Sequence, residues 1–119
     1  MVIQVTTPDF EDDRGTITDL IVGHVDAVTI VRTKAGAVRG NHLHSRTTQW
    51  AHVVSGRLLV TDGDHEVELL PGDTVVDLPG QPHAWKAIED TVCVVYVQGP
   101  RAGNDYESDT TRLQDPLFV

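Results

Sequence analysis

The stretch GAVRGNHLHSRTTQWAHVVSG, Gly36–Gly56, sets His42 and His44 on either side of one residue, Leu43. On an extended strand alternate side chains share a face, so both imidazoles point one way and Leu43 the other. Two neutral imidazoles on one face can chelate a divalent metal, although an isolated His-x-His pair on an exposed strand is usually only polar surface. Gln49 follows on what reads as the next strand, and Gly56 closes that strand before a new hydrophobic run. A further histidine, His83, stands far along the chain in PGDTVVDLPGQPHAW.

Working outward, DAVTIVRT before this stretch is rich in β-branched residues, and Gly36 and Gly40 predict a turn of unusual backbone angles leading into the histidine strand. After it, TTQWAHVVSG, RLLVTD and HEVELL read as consecutive short strands of a β-meander, the last two joined through Asp62-Gly63-Asp64. Pro71-Gly72-Asp73 makes another turn, TVVDLP another strand, and Gly80-Gln81-Pro82 presents His83 at the start of HAWKAI. TVCVVYV is the last strong strand. Upstream, MVIQVTT alternates weakly as far as Pro8, DFEDDRG is turn-like, and TITDLIV is a second plausible strand. The segment 99–119 is polar until Leu117-Phe118-Val119 and is expected to wrap the barrel or pack on a partner chain. No helical periodicity is sustained over three turns. Short strands at short intervals argue an all-β sandwich or barrel before any family is considered.

A chain of 119 residues fits one domain, residues 1–119, with a barrel core at about 26–98. Nine basic against eighteen acidic residues give a net charge of -9, which disfavours nucleic acid or an anionic membrane as partner and favours a small molecule or another protein. The single cysteine, Cys93, excludes an intramolecular disulfide, and its apolar setting predicts a buried, unreactive thiol. No apolar run approaches the ~20 residues that span a bilayer, and cytoplasmic residence is the default expectation.

Both histidine segments resemble the signature segments of the cupin family. Gly36, His42, His44 and Gly56 match the first, with Gln49 where the family places a glutamate; Gly72, Gly80 and His83 match the second, with Leu78 and Ala87 replacing its proline and asparagine. The resemblance implies a jelly-roll-like β-barrel that brings His83 opposite the His42/His44 pair, with Gln49 beside them as a fourth ligand. Such a site would hold a divalent transition metal, whether iron, manganese, nickel, copper or zinc, and leave positions open for water or substrate. Gln49 in place of a carboxylate leaves the metal's charge uncompensated, which weakens retention and strengthens Lewis acidity. If Gln49 faces inward, alternation turns Ala51 and Val53 inward and Trp50 and His52 outward, and Ala51 leaves space near the metal. Counting from His83 turns Trp85 inward as a pocket wall. His24, His52 and His65 read as surface histidines.

Val38–His42, VRGNH, resembles the RGNHxH segment of cupins acting on nucleotide-linked sugars. That likeness implies Arg39 and Asn41 as substrate-binding residues, Arg39 pairing with a phosphate or carboxylate, and a histidine moving a proton beside a carbonyl; the bland alternative for Arg39 is a surface salt bridge. Tyr96 is a candidate acid, with a packed strand tyrosine as the alternative. Three functions follow. The first is a metal-dependent, dioxygenase-like enzyme using His42, His44, His83 and Gln49; the second is an isomerase or epimerase of a sugar or keto compound; the third is a non-catalytic ligand-binding module. The resemblance also implies a homodimer.

Overall fold

The fold follows from many short β-branched runs, each ended by a glycine or proline turn. The computed structural model describes residues 1–101 and 103–119. In chain order the strands are β1 (Val2–Val5), β2 (Phe10–Asp12), β3 (Gly15–Ile17), β4 (Ala27–Thr33), β5 (Val38–His44), β6 (Thr48–Ser55), β7 (Leu58–Thr61), β8 (Glu66–Leu69), β9 (Asp73–Asp77), β10 (His83–Ala87) and β11 (Thr91–Gln98). A short helix, α1 (Gly103–Asp109), and strand β12 (Thr110–Arg112) follow. Two five-stranded antiparallel sheets, ordered β1-β9-β6-β11-β4 and β12-β5-β10-β7-β8, face each other as a jelly-roll barrel, while β2 and β3 form a separate hairpin.

Two local expectations are corrected. The run from β6 to β8 is no meander, because β6 lies between β9 and β11 whereas β7 pairs with β10 and β8. The chain changes sheets at Gly56, whose φ of 90° is left-handed and where an added Cβ would collide with the Asp90 carbonyl and Thr91. A corner so tight cannot carry a hairpin between β6 and β7. In TITDLIV only Thr16 and Ile17 join a strand, since Asp19 bonds through its N–H to the Asp9 carboxylate at 2.6 Å and the chain leaves the hairpin.

Alternation positions the interior. Along β6, Gln49, Ala51 and Val53 are buried while Trp50 and His52 are half-buried on the other face, and along β11 Cys93, Val95 and Val97 join the core with Leu58, Val60, Leu69, Val75 and Trp85. Each buried valine or leucine among them contributes about 1.5–3 kcal/mol. The same burial pushes the Cys93 thiol up to about 11, so it stays protonated at neutral pH. On the outer face of the first sheet Val28, Ile30 and Val54 are more than half exposed, at 63%, 57% and 51%. Among the described residues no helix is long and apolar enough to cross a membrane.

The segment after β11 returns to the second sheet. β12 pairs with β5, setting Thr110 opposite His44 and Arg112 opposite His42. The turn before β12 is anchored by Asp109, which is fully buried and accepts hydrogen bonds from the Arg46 N–H at 2.7 Å and the Thr47 hydroxyl at 2.6 Å.

Candidate active site

β5 carries His42 and His44 on its inner face, and β10 begins with His83 directly opposite His42. The three rings gather closely, with centroids 4.6 Å apart for His42–His44, 4.7 Å for His42–His83 and 5.3 Å for His44–His83. One nitrogen of each lies within 4.8 Å of the others. Nitrogens bound at about 2.1 Å around a tetrahedral metal stand about 3.4 Å apart, so small ring rotations bring the trio to bonding geometry.

Burial keeps all three imidazoles neutral. It pulls His83 down to about 3, with His42 and His44 adding to the effect, and His42 down to about 4, with His44 and Arg112 adding to it. His44 is lowered by burial too, against an opposing pull from Asp109. Neutral imidazoles offer lone pairs, which is the donor set a transition metal takes.

Outer contacts set the tautomers. Thr110 donates its hydroxyl to the Tyr106 carbonyl at 2.7 Å, so the lone pair that Thr110 presents to His44 Nδ1 at 3.2 Å receives a proton from the ring. His44 Nε2 is then the free lone pair. Behind His83, Nδ1 faces the Gln81 carbonyl at 3.4 Å and Asp77 Oδ2 at 3.9 Å. Asp77 is 2% exposed, and neither of its oxygens has a hydrogen-bond partner among the described residues. Burial raises its pKa to about 7.

A cavity of about 200 Å³ opens over His42 and His83, large enough for about six or seven water-sized groups. Its walls are Val31 and Val95 on one side, Gly40 and Trp85 on the other, with Gln49, Arg39, Arg101 and Tyr106 completing it. Trp85 is 6% exposed and faces inward, as counting from His83 indicates. Gln49, 8% exposed, lies in the register row that runs from Val97 to Asp77. Arg39 donates from Nε to the Thr33 hydroxyl at 3.0 Å and from Nη2 to the Arg32 carbonyl at 2.9 Å, which engages two of its five N–H donors.

Three expected site residues are placed elsewhere. Tyr96 lies on the outer face, because Val95 and Val97 take the inner one; it stacks on Trp50 at 5.6 Å and donates to the Leu20 carbonyl at 3.2 Å. The alternative reading of Tyr96, a packed strand tyrosine, fits that placement. Asn41 spends its amide on the C-terminal tail rather than on the cavity. Ala51 packs in the core beside Val95 and Val75, beneath the cavity rather than at its surface.

Sequence reasoning missed Arg101 and Tyr106. Tyr106 rides on α1, its ring 5.5 Å from that of His44, and the Arg101 guanidinium carbon lies 5.2 Å over the Tyr106 ring. Their segment is polar, short and without period, so nothing local marked either residue. Among the outlying histidines, His24 pairs with Asp26 at 2.8 Å and His52 Nδ1 meets the Thr74 hydroxyl at 2.8 Å, both away from the cavity.

A barrel of this topology, with three histidines converging from β5 and β10, defines the class. The chain belongs to the cupin family: the cupin domain model matches residues 29–98. No curated protein sequence matches the chain. Among solved structures it is similar to QdtA, a sugar 3,4-ketoisomerase from Thermoanaerobacterium thermosaccharolyticum in complex with TDP, with TM-score 0.73 and 18% identity over 95% of this chain and 88% of that one. A dTDP-4-dehydrorhamnose 3,5-epimerase from Sulfolobus tokodaii matches with TM-score 0.65 and 18% identity over 85% of this chain and 70% of that one. The capsular polysaccharide assembling protein CapF from Staphylococcus aureus matches with TM-score 0.63 and 24% identity over 92% of this chain, which spans only 34% of CapF.

Proposed function

We propose that this cupin is an isomerase or epimerase of a keto sugar or similar carbonyl compound that carries an anionic group. The observation behind the reading is that one cavity combines neutral imidazoles with two arginines, Arg39 and Arg101. In a chain of net charge -9, two cations at one opening are a local reversal of sign that draws an anion. The similar epimerase acts on a dTDP-linked sugar by its name, and a mutant of the ketoisomerase QdtA has been crystallised with TDP-4-keto-6-deoxyglucose.

His42 is the best-placed base, half-buried and lining the cavity. Its depressed pKa keeps it unprotonated at neutral pH, and an anion entering beside it raises its affinity for a proton. His42 takes the proton from the carbon next to the carbonyl, and the C–H electron pair becomes the carbon–carbon double bond of an enediolate. Returning the proton to the former carbonyl carbon, while the adjacent hydroxyl gives up its proton and the former carbonyl oxygen gains one, exchanges the positions of carbonyl and hydroxyl; returning a proton to the original carbon from the opposite face inverts it. Tyr106, beside His44, is the second proton carrier, and Arg39 and Arg101 hold the anionic end of the substrate. His42, His44 and His83, with Gln49 beside them, would alternatively hold a divalent transition metal, which when bound polarises the carbonyl oxygen but occupies the His42 lone pair, so His42 acts as base in the metal-free site.

Incubating the protein with TDP-4-keto-6-deoxyglucose in D2O under nitrogen tests the reading. Deuterium at the carbon next to the carbonyl, together with an isomerised product and loss of both in His42→Ala, is the expected result. No exchange with this or other phosphorylated keto sugars rejects it. Substrate consumption that requires iron and oxygen would favour the dioxygenase-like reading, which the three neutral histidine donors support. We also propose a homodimer joined through the outer face that carries Val28, Ile30 and Val54; light scattering at the monomer mass would reject it.

A further inference from the structure

Arg39 and His42 stand three positions apart, so on an uninterrupted strand their side chains would lie on opposite faces. Both line the same cavity. The pairing of β5 with β10 supplies the reason. His42 stands opposite His83, Gly40 opposite Ala84 and Arg39 opposite Trp85, which leaves Asn41 with no partner on β10. Gly40 and Asn41 therefore form a β-bulge that absorbs one residue and returns Arg39 to the histidine face.

Each residue of the bulge meets a specific demand. Gly40 has a φ of 87°, and a Cβ there would lie 2.9 Å from the His83 carbonyl oxygen, so the approach of β10 requires glycine. Asn41 has a φ of 57°, an uncommon conformation for a residue other than glycine, though one asparagine tolerates better than most. What holds it comes from outside the sheet. Asn41 Oδ1 accepts from the Leu117 N–H at 2.7 Å and the Phe118 N–H at 3.1 Å, and Nδ2 donates to the Phe118 carbonyl at 2.9 Å. The Asn41 carbonyl accepts from the Leu113 N–H at 2.9 Å. Four hydrogen bonds thus tie the extra residue of β5 to the tail.

We propose that Asn41 is a positioning residue: by gripping residues 113–118 it holds the Gly40–Asn41 bulge and so keeps Arg39 on the histidine face, where Arg39 binds the anionic group of the substrate. The role of Arg39 as the anion contact rests on the function proposed above; its placement by Asn41 does not. The side chain that reads the substrate's charge is set from the far end of the chain, through a residue that never touches substrate. Asn41 thereby governs affinity for the anionic part of a ligand and leaves the gathering of the histidines to the His42–His83 pairing beyond the bulge.

The test compares wild type, Asn41→Ala, Asn41→Gly and Arg39→Ala in two measurements, with TDP as the probe ligand. The first follows the Arg39 Nε–H resonance by 15N NMR, because that proton is bonded to the Thr33 hydroxyl only when Arg39 is in place. The second is calorimetric titration with TDP. Both Asn41 variants are expected to shift or broaden the Arg39 resonance and to weaken TDP binding about tenfold or more, approaching Arg39→Ala, as loss of one charge-assisted contact implies. Asn41→Gly keeps the left-handed conformation at little cost and so remains folded if Asn41→Ala does not. An unchanged Arg39 resonance in Asn41→Gly would overturn the positioning role whatever happens to affinity. Unchanged TDP affinity in Arg39→Ala would instead overturn the anion role of Arg39, with positioning still decided by the resonance.

Discussion

Asp109 and Asp77 are equally removed from solvent, at 0% and 2% exposure, yet their surroundings share almost nothing. Asp109, where the tail turns back into the sheet, receives a backbone N–H and a hydroxyl at 2.7 and 2.6 Å, with the Arg46 Nε 3.5 Å away. Asp77, at the end of β9 behind His83, receives no hydrogen bond within 3.5 Å among the described residues, and only the N-terminal ammonium and the neighbouring Gln49 amide draw its pKa down against burial. An unsatisfied buried carboxylate costs several kcal/mol, so the fold is well made at the anchor and carries a debt at the histidines. Polar groups left unpaired by the fold are where binding and catalysis find their partners. The difference separates a region that holds the chain together from one available for chemistry.

Substitution at the two aspartates should give opposite signs. Asp109→Ala is expected to destabilise by about 3 kcal/mol, since two charge-assisted hydrogen bonds go and their buried donors are stranded. Asp77→Asn is expected to stabilise the metal-free protein by about 1–3 kcal/mol at pH 8, because a buried charge with no close hydrogen bond is removed. Urea unfolding measures both, and equal losses in the two variants would erase the contrast.

The pH dependence sharpens it. In the metal-free protein His42 and His83 stay neutral down to about 4 and about 3, whereas an unfolded histidine takes up its proton near 6.5. Their contribution to stability is therefore present above pH 6.5 and lost as pH falls toward 4 and 3. Asp77 acts in the other sense: unfolded, it ionises near 3.8, and folded it holds its proton to about 7, so its contribution is full below 3.8 and lost as pH rises through 7. Between about pH 4 and 6.5 His42 and His83 outweigh Asp77, with His44 and His52 lowered in the same sense, and wild type should lose at least about 1.4 kcal/mol per pH unit on acidification. Asp77→Asn removes the opposing group and should steepen that loss by about 1.4 kcal/mol per unit, read from unfolding curves at pH 5 and 6. A slope unchanged by the substitution would mean that Asp77 is ionised throughout.

Within β5, Gly40→Ala should cost about 2 kcal/mol, because a left-handed residue acquires a Cβ against the His83 carbonyl; thermal unfolding reads the loss, and a variant as stable as wild type would show that the bulge relaxes freely. The smallest contrast lies between the tyrosines. Tyr96→Phe should cost about 1 kcal/mol for the bond to Leu20 and leave solvent exchange into a keto sugar unchanged. Tyr106→Phe should leave stability within about 0.5 kcal/mol and slow that exchange. Reversed outcomes would return the acid role to Tyr96.

How much of this was legible follows from the range over which each feature is set. The shared face of His42 and His44, the inward turn of Ala51, Val53 and Trp85, and the burial of Cys93 all rest on a period of two residues, which local sequence displays. The same period misassigns any residue beyond a bulge. It would set Arg39 against His42, and the Gly40–Asn41 bulge, paired with β10 and bonded to the tail from residues more than seventy positions away, restores it. The β6–β7 corner was misread because nearness in sequence stood in for pairing, whereas Gly56 carries the chain to the opposite sheet.

By itself, then, the amino-acid sequence determined an all-β cupin barrel, the histidine pair on one face with His83 as its third member, and a charge balance that disfavours nucleic acid. The all-β class, the shared face of the histidine pair and the charge balance depend on side-chain alternation, turn residues and composition, which act over a few positions or over the whole chain at once, whereas the cupin barrel and the place of His83 were implied by the resemblance of two segments to the family's signatures. Tertiary structure alone decided that Tyr106 rather than Tyr96 stands at the cavity, that Arg101 joins Arg39 there, that Asp77 faces His83 without a partner, and that Asn41 serves the tail. Each of these is a meeting of segments distant in the chain, and such meetings are chosen by the packing of the closed barrel, where bulges, corners and buried polar partners override the local period.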